Sequence, residues 1–91
     1  MTFMADGGIV VKIADGVDAV MEERGILADD VDKVIAQAES TGIKLQSKSS
    51  GHFLAKLRLD KVMVYVEYSL EDGTANVYDA YTHRVTLKEE L

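Results

Sequence analysis

The side chains best suited to chemistry gather near the C-terminal end of the chain, in Tyr78-Asp79-Ala80-Tyr81-Thr82-His83-Arg84. Two phenols, a carboxylate, an imidazole and a guanidinium fall in this one short run, at what reads as a strand end. Arg84 and His83 could hold a small anion, with Tyr81 donating a hydrogen bond. Asp79 and His83 could form an acid–base pair, since imidazole titrates near neutral pH. Asp79, Tyr81, His83 and Arg84 are therefore the candidate ligand-binding residues. The plainer reading is a sheet end. Tyr and Thr are good strand formers, and an Asp–Arg or Asp–His contact commonly closes such an end.

Other chemistries find little support. The chain has no Cys, which removes disulfides, thiolate zinc sites, iron–sulfur ligation and cysteine nucleophiles. Its two histidines, His52 and His83, are far apart in sequence. Lys48-Ser49-Ser50-Gly51 lacks the spacing of a phosphate-binding loop, and Gly7-Gly8 is too short for a dinucleotide fingerprint. The Asp29-Asp30-Asp32 cluster reads as charge bias at a helix start rather than a ligand set. Nothing in the spacing brings Ser, His and Asp together beside an oxyanion hole. No catalytic set, metal or cofactor is expected, and the balance leans away from an enzyme.

The elements that must position these residues follow from periodicity and glycine, because there is no proline. Met1 to Gly8 reads as a loose arm, and Ile9 to Ile13 as a β-branched strand. Asp15 offers an acceptor at the start of a first helix that stops at Gly25, with Val17, Val20, Met21 and Arg24 on one face. Leu27, Val31, Val34, Ile35 and Ala38 form the apolar stripe of a second helix, which Gly42 can end in the left-handed conformation. Asp32, Lys33, Gln37 and Glu39 occupy its wet face. From Ile43 the period changes to two.

Two hairpins can be registered by arithmetic. With Asp60-Lys61 as a two-residue turn, Leu59 faces Val62, Leu57 faces Val64, Ala55 faces Val66 and Phe53 faces Tyr68. The other side then pairs Arg58 with Met63, Lys56 with Tyr65 and Leu54 with Glu67. A slip of one residue would scatter the apolar set over both faces. A tight primed turn at Asp72-Gly73 sets Leu70 against Ala75, Tyr68 against Val77 and Glu67 against Tyr78. It is preferred to a three-residue loop with a glycine bulge, which would face Tyr78 inward, because it keeps Ala75 and Val77 on the apolar side. It also sets Asp79 against Val66, a charge at a core position. Val85-Thr86-Leu87 is a candidate last strand.

The expected architecture is α+β: two N-terminal helices packed on one face of an antiparallel β-meander of three to five strands, one domain over residues 1–91. The outward face then carries Leu54, Lys56, Met63, Tyr65, Glu67 and Tyr78, with Arg58 at its rim. Exposed aromatic and Met side chains with charged borders describe a protein-binding or self-association surface. Coverage by the N-terminal strand or the C-terminal tail, or a plain scatter of surface apolar residues, is the competing reading.

Composition narrows the partners. Sixteen acidic residues stand against ten basic ones, a net charge of -6. Such a surface repels phosphate backbones and anionic lipid, so neither nucleic acid nor membrane is an expected partner. No apolar run reaches the roughly 20 residues of a spanning helix, and the N-terminus shows no secretory pattern. A cytoplasmic location is expected.

Gly25-Ile26-Leu27-Ala28-Asp29-Asp30-Val31, Val34-Ile35, Gly51-His52-Phe53-Leu54-Ala55, Tyr65-Val66-Glu67-Tyr68 and Asp79-Ala80-Tyr81-Thr82-His83-Arg84 together resemble a group of small uncharacterised proteins of anaerobic microbes, often encoded near redox enzymes. The resemblance runs from Gly25 to Leu87. It departs from the group's pattern at Asp60-Lys61, where Gly-Asn is usual, and at Leu27, where Ser or Thr is usual. It implies an accessory role beside an oxidoreductase.

Overall fold

Periodicity and turn chemistry resolve into eight elements in the computed structural model, which describes residues 2–4, 9–59 and 61–84. In chain order these are β1 (Thr2–Met4), β2 (Val10–Ile13), α1 (Val17–Arg24), α2 (Ala28–Thr41), β3 (Leu45–Gln46), β4 (Phe53–Leu59), β5 (Val62–Glu71) and β6 (Thr74–Arg84). The strands form one six-stranded mixed sheet in the order β1-β2-β6-β5-β4-β3. Both helices pack on a single face of it, with α1 over β6 and α2 over β4 and β5.

Helix α1 starts after Gly16 with no side-chain cap, so Asp15 does not serve as its acceptor. It ends where Gly25 takes the left-handed conformation (φ 74°). There the Gly25 N–H donates to Glu22 O and the Ile26 N–H donates to Met21 O, which satisfies two terminal carbonyls. Helix α2 buries Val31, Val34, Ile35 and Ala38, as the stripe predicts. Leu27 departs from that stripe. It is the N-cap residue, extended at φ -89° and ψ 155°, and 65% exposed. An extended backbone takes its side chain off the helical face. The cap is made instead by Asp30, whose Oδ2 accepts the Leu27 N–H at 3.0 Å.

The β4–β5 register matches the arithmetic pair for pair, from Leu59 opposite Val62 to Phe53 opposite Tyr68. The β5–β6 turn is of the primed type, with φ 48° at Asp72 and 77° at Gly73. Leu70 faces Ala75 and Tyr68 faces Val77, as expected. Beyond them the ladder shifts. Tyr78 is an extra residue in a β-bulge, so Glu67 faces Asp79 and Val66 faces Ala80. The bulge keeps a carboxylate out of the core. Without it, Asp79 would lie against fully buried Val66.

Three parts of the architecture differ from expectation. Two strands precede the helices where only Ile9 to Ile13 was expected, and the described sheet has six strands. Strand β2, formed within that expected segment, runs parallel to β6, with Val11 beside Ala75 and Ile13 beside Val77. Parallel pairing of β2 extends the apolar face by two fully or nearly fully buried side chains, which a free β2 would leave wet. Thr2–Met4, within the segment expected as a loose arm, forms edge strand β1 on β2. The segment Ile43 to Gln46 is strand only at Leu45–Gln46, and Ile43 and Leu45 are exposed. The expected strand Val85-Thr86-Leu87, residue Asp60 of the first turn and the remainder of the arm lie outside the described residues.

The core lies between sheet and helices. Val11, Ile13, Ala55, Val64, Val66, Tyr68, Ala75, Val77 and Ala80 come from the sheet, and Met21, Ile26, Val31, Val34, Ile35 and Ala38 from the helical layer. No described helix is long and apolar enough to cross a membrane.

Candidate functional site

Side chains alternate across a strand, so the register that buries Ala55, Val64, Val66 and Ala80 sets their neighbours on the other face. No described element packs on that second face. Three cross-strand rows define it: Arg58, Met63 and His83; Lys56, Tyr65 and Tyr81; Leu54, Glu67 and Asp79. Leu45 extends the last row, opposite Leu54.

At its centre is an aromatic cluster. The Tyr65 and Tyr81 rings stack with centroids 4.9 Å apart and planes 7° from parallel. His83 meets both rings edge-on, 5.3 Å from Tyr65 and 5.7 Å from Tyr81. Stacked and edge-on pairs at these separations hold their rings in fixed orientation. Beside them, Ile43, Lys44, Leu45, Leu54, Lys56 and Tyr65 line a depression of about 300 Å³.

A second cluster forms around the bulge. The His52 ring stacks on Tyr78 with centroids 4.1 Å apart and planes 5° from parallel, and its Nδ1 lies 3.0 Å from Glu67 Oε2. Tyr78 and Ser69 share a hydroxyl hydrogen bond of 2.9 Å. The bulge is what aims the extra residue, Tyr78, at this face.

The four candidate ligand residues are not gathered in one place. Tyr81 and His83 stand together in the aromatic cluster. Asp79 turns to the stretch of β6 that β2 does not cover. There its Oδ1 accepts from Arg24 Nη1 at 3.2 Å, and Arg24 Nη1 also donates to the Ala80 carbonyl at 2.7 Å. Asp79 Oδ1 also accepts the Ala80 N–H at 2.9 Å. Helix α1 thus caps a strand edge through one guanidinium. Arg84, exposed at the end of β6, pairs with Val62 and so falls on the helix side by register. The six expected surface residues, Leu54, Lys56, Met63, Tyr65, Glu67 and Tyr78, share the open face.

One polar cluster was not expected. Glu39, expected on the wet face of α2, has a side chain only 20% exposed. Its Oε2 accepts from the Tyr68 phenol at 2.6 Å and forms an ion pair with Lys44. The Lys44 ammonium lies over the Phe53 ring, 4.1 Å from its centroid. Burial raises the Glu39 carboxyl, but hydrogen bonds from Lys44 and Tyr68 outweigh it and hold the group below the usual carboxylate range. Burial, then the Glu39 carboxylate, pushes the Tyr68 phenol up. The signal was present in the sequence, because Glu39 lies four residues after Ile35 and eight after Val31, beside the buried stripe. This cluster holds Tyr68 in the core, and its Lys44 also lines the depression beside Tyr65.

Among the described residues, no group of three or more His, Asp or Glu side chains is placed to hold a metal ion. Comparison of the chain with protein-family models, curated proteins and solved structures finds no match.

Proposed function

We propose that the chain is a non-catalytic protein-interaction module that binds through the open face of its sheet. The stacked Tyr65–Tyr81–His83 cluster, on a face that no described element covers, supports this reading most directly. Pre-stacked rings lose little conformational entropy when a partner covers them, and aromatic residues are enriched where interfaces gain most of their energy. Leu54, Met63 and Leu45 extend the apolar centre, while Lys56, Arg58 and Glu67 form a charged rim. The resemblance to small proteins encoded near redox enzymes adds an oxidoreductase as the larger partner.

The small-ligand reading draws its support from Tyr81 and His83, with Asp79 and Arg84 placed away from them. It predicts that titrating phosphate or acetate moves the His83 and Tyr81 resonances and leaves those of Met63 and Leu54 in place.

The interaction reading is tested by affinity capture from the source cell with wild-type chain and Tyr65→Ser as paired baits. Species held by the wild type and lost with Tyr65→Ser support it. Equal capture by both baits overturns it.

A further inference from the structure

We infer that the open face pairs with the same face of a second copy, about a two-fold axis along β5 that seats Lys56 of each copy over Tyr81 of the other. The inference rests on the reading of this face as a contact surface and names what occupies it when no larger partner is bound, a second copy of the chain.

Charge distribution supports a second copy. Residues 15 to 41, which hold both helices, carry eight acidic and two basic side chains, which is the whole net charge of -6. The remainder of the chain has eight of each. The helical layer of one copy therefore repels that of another. Sheet-to-sheet packing turns both acidic layers outward and leaves the apolar faces opposed. Packing one copy's sheet on another's helices would be head-to-tail, with no closure, and would cover the charged side of α2.

The middle row of the face is self-complementary under such an axis. A two-fold along β5 exchanges β4 with β6 and preserves each cross-strand row. In the middle row Lys56, Tyr65 and Tyr81 lie side by side. The axis brings the Lys56 ammonium over the Tyr81 ring of the other copy and Tyr65 against its own counterpart. A cation over an aromatic face is attractive, more so once desolvated. The Glu67 carboxylates of the two copies also meet near the axis, a like-charge contact that weakens the pairing.

Area sets the expected strength. Strands β3 to β6 at about 4.8 Å spacing, over seven residues at about 3.3 Å rise, span roughly 19 by 23 Å. That lies at the small end of specific interfaces, below about 1,200 Å² in total, where reversible association is the rule.

The test is analytical ultracentrifugation of the full chain from low micromolar to millimolar concentration. The expected result is a reversible monomer–dimer equilibrium that Tyr65→Asp weakens at least tenfold, with an unchanged far-UV circular dichroism spectrum. Lys33→Ala, on the outer face of α2, should leave it unaltered. Filtered NOEs in a mixture of labelled and unlabelled wild-type chain provide a measurement that needs no variant. Contacts between Lys56 methylenes and the Tyr81 ring across copies support the two-fold pairing. A monomer throughout the range, a dimer indifferent to Tyr65→Asp, or a dimer lacking those NOEs overturns it. The capture experiment with Tyr65→Ser judges the contact surface separately, so failure of one is not failure of the other.

Discussion

Tyr68 and Tyr65 stand three residues apart on β5 and on opposite faces of the sheet. The Tyr68 ring is fully buried, tilted against Phe53 with centroids 5.7 Å apart, and its hydroxyl donates to Glu39. The Tyr65 ring is partly exposed, stacked on Tyr81, and turned away from both helices. The same side chain on the same strand therefore does two different jobs. On the covered face, Val and Ala dominate and the polar atom of Tyr68 needs a partner, because an unpaired buried hydroxyl is costly. On the open face, rings order one another, and polar pairs such as His52 with Glu67 and Ser69 with Tyr78 lie at the surface. One face carries the core, and the other carries an ordered aromatic cluster outside it.

The sharpest way to break this comparison is Val64→Asp, which buries an unpaired charge one residue from Tyr65. It should cost more than about 4 kcal/mol and leave the chain unfolded by circular dichroism. A folded Val64→Asp would remove the distinction between the faces. Next in size, Tyr68→Phe should cost about 1.5–3 kcal/mol in urea unfolding, because it removes a hydrogen bond to a charged acceptor.

The same cluster gives stability a pH dependence on both sides. The Glu39 carboxyl is lowered in the fold, so its contribution is present above the unfolded value near 4.3 and is lost as pH falls through the lowered value. The Tyr68 phenol is raised, so its contribution is complete below about 10 and is lost as pH rises beyond it. Urea midpoints against pH should show both losses, and Glu39→Gln should flatten the acid limb.

Deleting Tyr78 should cost about 1 kcal/mol, through its ring stacking and its hydroxyl bond. The deletion straightens the ladder yet keeps Ala80 opposite Val66. Retained Ala80 and Val66 amide shifts in NMR would show it, and a general collapse of dispersion would count against the bulge as the device that sets the facing. The smallest effect on stability belongs to Tyr65→Ser, which should stay within about 1 kcal/mol by thermal melting while it reduces partner capture. If Tyr65→Ser destabilised the chain more than Tyr68→Phe, the open face would be a second core rather than a contact surface.

Most of the sheet's sidedness was legible in the residues. Phe53 to Leu59 and Val62 to Tyr68 alternate cleanly, and Asp72-Gly73 specifies the primed turn, so register and facing follow from local rules. The α2 stripe was legible for the same reason, except at Leu27, where the boundary between cap and helix decides the direction of the side chain. The aromatic cluster was half legible: Tyr65 was placed correctly, but its stacking on Tyr81 waits on the bulge at Tyr78. The conflict of Asp79 with Val66 pointed to an irregularity without saying what it was.

What local order determined about this chain is therefore a pair of amphipathic helices and a hairpin sheet with one apolar side, since periodicity and turn geometry act within a few residues. Only the tertiary structure decided that β2 joins β6 in parallel, that Arg24 caps the free edge at Ala80, and that Glu39 meets Lys44 and Tyr68. Apart from the Glu39–Lys44 pair, which spans the end of α2, those contacts join segments that no short-range rule relates. They form because burial of apolar surface brings the segments together first, and each polar group must then find a partner among whatever neighbours the packing supplies.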